Sequence, residues 1–333
     1  MRICIVGASG YIGSKIVTYL KKNNHLIAVI RKKNIKDKRF LNGINKLIVG
    51  DIRNKNTILK IIKAKPEIII YTISLNHKDS EKNLNHSIDI NVKPLLNLCR
   101  NLKKIKRFKK IIYFSTMQVY GKINPGDSIE ENSPKKLQNI YALTHSMCED
   151  ILNYLYFSQG LLSTSIRLSN SYGYPELKTC DCWWLVLNEL CKMAKKYKKI
   201  VLKSDGKPLR DFISLGDVVK FVTILIKNKK NHKRIINLAS GKTYSIIELA
   251  NLVAKNKYFK KNNIPIYFLD GSKYIKSKNH PIIPRKFKIN TNYLRKLGFI
   301  KNQKIENGIF NLLKKIWVRR GTFGCIETLI DSG

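Results

Sequence analysis

The stretch that decides the fold is Ile3-Cys4-Ile5-Val6-Gly7-Ala8-Ser9-Gly10-Tyr11-Ile12-Gly13, near the start of a chain of 333 residues. Its apolar run predicts a buried strand, and its three glycines predict a tight turn into a helix. Such a turn lets the backbone approach a pyrophosphate, which the free N–H groups and positive end of the helix stabilise. The spacing G-x-x-G-x-x-G differs from the usual dinucleotide pattern G-x-G-x-x-G, so an ordinary strand-to-helix turn stays open as the alternative.

Beyond this turn, apolar strand patterns alternate with amphipathic helix patterns. We predict strands at 25–31, 47–50, 68–71, 110–115 and 163–168, and helices at 10–22, 88–102 and 141–157. Strands that alternate with helices form parallel sheets, because each crossover returns the chain to the same end of the sheet. The predicted fold is therefore α/β, a Rossmann-type doubly wound parallel sheet with a smaller C-terminal α/β substrate-binding region.

The alternation becomes less regular from about residue 171. We predict helices at 183–198, 216–227 and 245–258, with strands at 200–202 and 234–238. This gives a nucleotide-binding Rossmann domain at 1–170 and a substrate-binding region at 171–318 that is interleaved with the last sheet strands. Residues 319–333 form a tail of unknown role.

The charge balance is strongly basic, with 64 Lys and Arg against 22 Asp and Glu and a formal net charge of +42. The lysines are spread along the whole chain, whereas a nucleic-acid-binding protein concentrates its positive charge on one face or tail. We therefore expect no specific nucleic-acid partner, but strong attraction of anionic substrates.

The N-terminus begins directly with a core strand, and no apolar run approaches the ~20 residues that span a bilayer. We therefore predict a cytoplasmic protein that does not enter a membrane. The seven cysteines are odd in number and lie mostly in apolar segments, which indicates reduced core thiols. Cys180 and Cys182 are a candidate metal pair, but the sequence has no second Cys or His pair at ligand spacing, so we predict no metal site.

A series of motifs follows the opening turn in a fixed order. They are Gly50-Asp51-Ile52, Asn91-Val92, Ser115 to Gly121, Tyr141 to His145, Arg167 to Gly173, Arg210 to Ile213 with Asp217, and Asn237 to Gly241. Together they resemble the extended short-chain dehydrogenase/reductases that act on nucleoside-diphosphate sugars as epimerases, dehydratases and reductases. The resemblance covers Met1 to about Ile300.

The resemblance implies that NAD(P) is the cofactor. The implied cofactor-binding residues are Gly7, Ser9, Gly10, Tyr11, Ile12, Gly13, Arg31, Asp51, Ile52, Asn91, Ser115, Tyr141 and His145. Asp51 would accept a hydrogen bond from the adenine amino group and Ile52 would line the adenine pocket, although a simple turn residue is the alternative for Asp51. Arg31 replaces the acidic residue that often binds the ribose 2′-hydroxyl. Because arginine attracts a 2′-phosphate, the sequence favours NADP over NAD, with a solvated arginine as the alternative.

The resemblance also implies the catalytic residues Thr116, Tyr141 and His145. Thr116 would hydrogen-bond the substrate oxygen, and a Tyr141 phenolate would remove the hydroxyl proton while hydride leaves the carbon. Family members usually place a lysine four residues after the tyrosine, where this chain has His145. The two side chains share a helix face, so we expect a protonated imidazole to lower the pKa of Tyr141. A weakened or lost activity, or a merely structural His145, stays open. We expect Glu149, one turn further along, to be a surface or interface charge.

Five residues form the implied substrate site: Thr116, Asn170, Asn188, Arg210 and Arg285. Arg210 resembles the arginine that binds the sugar-nucleotide pyrophosphate, and Asn170 and Asn188 would hydrogen-bond diphosphate or sugar. For Arg285, a solvated arginine is the alternative to a second phosphate contact.

The reaction type follows from the residues beside this site. Dehydratases of this fold carry an Asp-Glu pair where this chain has Met117 and Gln118, which do not act as acid and base. We therefore predict an NAD(P)-dependent nucleoside-diphosphate-sugar epimerase that acts through a transient keto sugar, with hydride removal and return at C4. The alternatives are an NAD(P)H-dependent keto-sugar reductase and a non-catalytic cofactor-binding homologue. By analogy with the family, we expect a homodimer.

Overall fold

The alternating strands and helices fold around a parallel sheet. The structure, a computed structural model, describes residues 1–32, 35, 37–228, 233–260, 262–274, 285–301 and 303–316. Its strands are β1 (Arg2–Val6), β2 (His25–Ile30), β3 (Lys46–Val49), β4 (Ile68–Tyr71), β5 (Lys110–Thr116), β6 (Ser128–Ile129), β7 (Ser163–Leu168), β8 (Asn170–Tyr172), β9 (Ile200–Leu202), β10 (Leu209–Ser214), β11 (Ile235–Leu238), β12 (Thr243–Ser245), β13 (Ile266–Phe268) and β14 (Lys288–Ile289).

Helices separate most of these strands. They are α1 (Tyr11–Leu20), α2 (Lys38–Leu41), α3 (Lys55–Lys63), α4 (His77–Ser80), α5 (Leu84–Ser87), α6 (Lys93–Cys99), α7 (Ile140–Gln159), α8 (Val186–Tyr197), α9 (Leu215–Lys227), α10 (Ile246–Ala254), α11 (Asn292–Lys296) and α12 (Ile305–Lys315). A π-helical turn at Ile88–Val92 and 3₁₀ turns at Leu102–Lys104, Met117–Tyr120 and Lys257–Phe259 complete the regular structure.

Within the described residues, seven strands form one sheet in the order β11-β7-β5-β4-β1-β2-β3. Every neighbouring pair is parallel, so the carboxyl ends of β1, β4 and β5 lie along one edge. Two buried apolar clusters cover its faces. The first is built on Ile3, Ile5 and Ile70, and the second on Cys4, Val6 and Tyr71, because successive strand residues point to opposite faces. This is the doubly wound arrangement predicted from the sequence.

The later part of the chain supplies both sheet and cover. β11 extends the main sheet beside β7, while β10 lies between β8 and β12 in a separate three-stranded sheet. A third buried cluster joins α8, α10 and α12 around Leu190, Ala250 and Ile309. One strand from the later part of the chain is therefore built into the main sheet. The predicted tail at 319–333 lies outside the described residues.

Three predicted helices differ from the structure at their boundaries. The helix expected at 88–102 divides into a π-helical turn and α6, because Pro94 has no N–H for a helical hydrogen bond. The helix expected from residue 183 begins only at Val186, after a turn in which the Leu185 N–H donates to the Cys182 carbonyl. The helix expected at 245–258 ends at Ala254, and Asn256 caps a separate 3₁₀ turn.

The six described cysteines are buried free thiols. In the part of the chain that the structure describes, no cluster of three metal-ligating side chains occurs. No helix among the described residues has both the length and the apolar character required to cross a membrane.

Candidate active site

The glycine turn between β1 and α1 has the geometry of an anion cradle. Gly7 has φ of 92°, which only glycine adopts without strain, and the Gly10 N–H donates to its carbonyl at 3.0 Å. A Cβ on Gly13 would lie 2.2 Å from the Gly7 carbonyl oxygen, so this glycine lets α1 approach the strand. Within the described residues, no side chain caps α1 and no acidic residue lies in its first turn. These residues therefore fit the pyrophosphate of a dinucleotide.

Tyr11, at the start of α1, connects this turn to the later part of the chain. Its hydroxyl donates to the Gly173 carbonyl at 2.9 Å and accepts from the Asn188 amide at 3.3 Å. Asn188 is fully buried, and its amide nitrogen also lies 3.1 Å from the Gly173 carbonyl oxygen and 3.2 Å from that of Cys182, so its two N–H groups are shared among three acceptors. Its oxygen accepts from the Gly173 N–H at 3.0 Å. With every amide atom bonded to protein, Asn188 acts here as a clamp and offers the substrate no free atom.

The residues expected at the adenine end lie beyond β3. Arg53 donates from Nε and Nη2 to the Asp51 carboxylate at 3.0 and 2.7 Å, and this pairing lowers the pKa of Asp51. Arg31 is exposed after β2, and its positive charge lowers the pKa of Asp51 further by a smaller amount, which indicates that Arg31 lies near Asp51. Ile52 is buried. The ion pair with Arg53 leaves lone pairs on Asp51 available for another donor.

Thr116 and Tyr141 meet at the carboxyl end of β5. Thr116 ends the strand and caps the following 3₁₀ turn, where its Oγ1 accepts from the Gln118 N–H at 3.2 Å. Tyr141 lies in the first turn of α7, which begins after Asn139 accepts a capping hydrogen bond from the Ala142 N–H. Burial raises the pKa of Tyr141 to about 12, while hydrogen-bonding hydroxyls from Thr116 and Ser74 act in the opposite direction. The two predicted reactive hydroxyls are thus neighbours.

His145 packs against Tyr141 but differs from the expected protonated imidazole. The two rings make an edge contact with centroids 4.5 Å apart. His145 is only 2% exposed, and burial lowers its pKa to about 3. Its Nδ1 lies 2.7 Å from the Tyr113 hydroxyl and its Nε2 lies 3.1 Å from Ser74 Oγ. In this structure the imidazole is therefore neutral near pH 7 and contacts hydroxyls rather than an acid.

Asn91 fixes the loop that carries Ser74. Its Oδ1 accepts from the Leu75 N–H at 2.8 Å and its Nδ2 donates to Thr144 Oγ1 at 3.0 Å. It lies in the π-helical turn, a local irregularity that often marks functional sites. Its side chain is 1% exposed, so it connects the loop after β4 to α7 instead of reaching outward to a cofactor.

Glu149 is buried, and the expectation of a surface charge is wrong. It is 3% exposed and accepts from Arg167 Nε at 2.9 Å and Nη2 at 2.7 Å. The Ser115 hydroxyl, expected at the cofactor, donates to the same carboxylate at 2.6 Å. Arg167 also donates to the Tyr120 hydroxyl at 2.7 Å. A carboxylate with this many donors is stable inside the protein, and it holds α7 against β5 beside Thr116.

The remaining substrate residues lie on or near the three-stranded sheet. Asn170 is exposed on β8, and its Nδ2 donates to the Asp211 carbonyl at 3.0 Å. Arg210 is exposed on the adjacent strand β10, with Nη1 bonded to the Leu209 carbonyl. Arg285 is exposed and lies against Gly126. The structure thus brings Asn170 and Arg210 to neighbouring strands.

Comparison with known proteins identifies the family. The model of the NAD dependent epimerase/dehydratase family matches residues 3–239. The chain belongs to this family. A putative UDP-glucose 4-epimerase of Methanocaldococcus jannaschii is 28% identical over 252 residues, which are 75% of this chain and 81% of that protein. The UDP-glucose 4-epimerase of Mycoplasma genitalium is 25% identical over 80% of this chain and 84% of its own length.

Solved structures support the family fold. The UDP-N-acetylglucosamine 4-epimerase of Methanobrevibacter ruminantium matches with a TM-score of 0.77 and 21% identity, over 94% of this chain and 97% of that one. The UDP-glucose 4-epimerase of Thermus thermophilus, solved in complex with NAD, matches with a TM-score of 0.77 and 20% identity, over 94% and 98% of the two chains. The predicted family, fold class and epimerase class of enzyme are confirmed.

Sequence reasoning missed three polar residues of this epimerase-family site. Ser74 follows β4, Tyr113 lies within β5, and Arg167 lies within β7. Ser74 had a usable signal, because polar side chains after parallel strands lie at the edge where ligands bind. Tyr113 and Arg167 occupy positions whose pattern predicts a buried strand, and this pattern contains no information about their partners on α7.

Proposed function

We propose that this protein epimerises a nucleoside-diphosphate sugar at C4 through a transient keto sugar. The observation that carries the proposal is the meeting of Thr116 and Tyr141 at the carboxyl end of β5, on the same sheet edge as the glycine turn after β1. Met117 and Gln118, which cannot act as an acid–base pair, favour epimerisation over dehydration. The 4-epimerases among the relatives support the same assignment.

The proposed mechanism uses few groups of the protein. A nicotinamide cofactor bound beside the glycine turn would supply the capacity for hydride removal from the sugar carbon and for its return. Thr116 holds the sugar oxygen by a hydrogen bond, and Tyr141 takes its proton and later gives it back. Because burial raises the pKa of Tyr141, the site must stabilise the phenolate through the neighbouring hydroxyls. Arg210 and Asn170 bind the diphosphate from adjacent strands, which leaves the sugar free to turn its other face.

The preference for NADP and the homodimer are further parts of this proposal. Arg31 is exposed after β2, and its guanidinium would attract a 2′-phosphate bound beside it. An Arg31→Asp variant tests this by its affinities for the two cofactors. On α7, Tyr154 and Phe157 are 65% and 69% exposed, which supports a helix-to-helix contact between two copies. Sedimentation of the Phe157→Glu variant tests the dimer.

The activity is tested by proton NMR with UDP-, GDP- and dTDP-sugars, including 4-keto forms, while absorbance at about 340 nm reports NAD(H) or NADP(H) turnover. A new sugar isomer without net cofactor turnover supports epimerisation, whereas keto-sugar loss matched by cofactor oxidation identifies a reductase. Tyr141→Phe should lower kcat by about 10²- to 10⁴-fold. Tyr154→Phe, on the exposed side of the same helix, is the matched control. Cofactor binding without turnover of any sugar contradicts the proposal.

A further inference from the structure

A line of hydrogen bonds leads from the core of the protein to Tyr141. It begins at the Tyr113 hydroxyl, 2.7 Å from His145 Nδ1, and continues from His145 Nε2 to Ser74 Oγ at 3.1 Å. The Ser74 hydroxyl in turn acts as a hydrogen-bonding group on the Tyr141 phenol. Tyr113 and His145 are buried, whereas Ser74 is half-buried at the end of the line.

The hydrogen-bond partners favour one direction for the protons in this line. The Ser74 hydroxyl donates to the Leu75 carbonyl at 2.7 Å, so it has no second proton for His145. The hydrogen bond between Ser74 and His145 therefore requires a proton on Nε2. A neutral imidazole with Nε2–H has a bare Nδ1, which accepts from the Tyr113 hydroxyl. Both ring nitrogens are then satisfied without a positive charge.

We propose that Tyr113, His145 and Ser74 form a one-way chain of donors that stabilises the Tyr141 phenolate in place of the family's lysine. This inference rests on the proposed function for the role of the phenolate. Ser74 acts directly on the reacting tyrosine, while His145 and Tyr113 are positioning residues. When Tyr141 loses its proton, the Ser74 hydroxyl turns from the Leu75 carbonyl to the phenolate oxygen. Rotation of the Ser74 hydroxyl about its Cβ–Oγ bond is sufficient, and no proton is transferred between Tyr113, His145 and Ser74.

The surroundings of His145 favour a neutral imidazole within this chain of donors. From β5 it faces Tyr113, from the loop after β4 it faces Ser74, and on α7 it faces Tyr141. Cys148 and Glu149 act on Tyr113 from the same helix, and both raise its pKa. No carboxylate within the described residues hydrogen-bonds His145, and an unpaired buried cation is costly. Hydrogen bonds in a chain polarise one another, so the donors together stabilise the phenolate without burying a positive charge.

The tautomer of His145 is the first test. Two-dimensional ¹H–¹⁵N NMR of the full-length protein, with His145→Gln for assignment, reports which ring nitrogen carries the proton. We expect a neutral ring with Nε2–H throughout the neutral pH range. In Tyr113→Phe, the acceptor Nδ1 loses its donor and the Nε2–H signal should change. An imidazolium at neutral pH, or a proton on Nδ1, overturns the proposal.

The pH dependence of turnover is the second test. Removing a hydrogen bond to a charged group lowers the phenolate population about 10- to 100-fold. Ser74→Ala should therefore reduce kcat by this factor at neutral pH, with little change in KM. The deficit should shrink as the pH rises and Tyr141 ionises without help. Ser74→Thr, which restores a hydroxyl, should recover most of the activity.

Ser87→Ala is the matched control, because Ser87 is buried and, like Ser74, donates one hydrogen bond to a backbone carbonyl, that of Ser80 at 2.9 Å. It should leave the pH profile unchanged. A deficit of Ser74→Ala that is constant with pH, or that Ser74→Thr does not repair, contradicts the donor chain. The NMR result needs no substrate, so a confirmed Nε2–H tautomer in a protein inactive on every sugar would separate failure of the proposed function from failure of this inference.

Discussion

The buried His145 should make the stability of the protein fall on mild acidification, by an amount that the structure predicts. Burial lowers its pKa from 6.5 to about 3. Between these two pH values the imidazole is protonated in the unfolded chain but neutral in the folded protein. Stability that is present above pH 6.5 is therefore lost as the pH falls toward 3. A pH of about 5 lies about 1.5 pH units below the pKa of the imidazole in the unfolded chain. At this pH the unfolding free energy is therefore lower by about 2 kcal/mol.

The assay is urea unfolding at about pH 7.5 and about pH 5, for the wild type and His145→Gln. Other buried groups also have shifted pKa values, among them Asp211, whose pKa is raised by burial, and subtraction of the variant's change removes their contribution. We expect the wild type to lose about 2 kcal/mol more than the variant. Equal losses in the two proteins would mean that His145 takes up a proton in the folded state, which refutes the neutral-imidazole reasoning.

Two further predictions concern the supports of the site. Glu149→Gln leaves the buried Arg167 without its counter-charge and should lower the unfolding free energy by about 3–5 kcal/mol, measured by urea unfolding; a loss below about 1 kcal/mol would contradict a structural ion pair. Gly13→Ala places a Cβ 2.2 Å from the Gly7 carbonyl and should cost about 1–3 kcal/mol while weakening NAD(P) binding in calorimetry. Gly216→Ala, whose Cβ would lie 3.7 Å from Ser214 Oγ, should preserve binding.

The sheet was predictable because its strands are short, strongly apolar and separated by helices of the right length. Ile68–Tyr71 is buried at all four positions, a continuous apolar run typical of a central parallel strand. The glycine turn was also readable, since Gly7 and Gly13 are required by backbone geometry that no other residue satisfies. Local sequence therefore determined the elements and the position of the cofactor turn.

The details of the candidate site depended on contacts between distant residues. The i, i+4 spacing correctly placed Tyr141 and His145 on one face of α7, but it could not show that this face is buried against Tyr113. The protonation state of His145 follows from that burial. The expectation of a charged imidazole was based on sequence spacing alone and could not take the burial into account. The same limit applies to Glu149, whose partner Arg167 lies on a strand that begins after the helix has ended.

One face of α7 explains how Tyr141 is held. Tyr141, His145 and Glu149 follow one another at intervals of four residues and therefore lie in one row along the helix. His145 contacts Tyr113 and Glu149 contacts Ser115. Tyr113 and Ser115 are two residues apart on β5 and therefore point to the same face of the sheet. These two polar contacts, one and two turns below Tyr141, fix the height and rotation of the helix relative to the strand. The meeting of Tyr141 with the end of β5 is thus set by buried hydrogen bonds deeper in the protein. Substitutions at His145 or Glu149 should consequently displace the tyrosine as well as change its electrostatics.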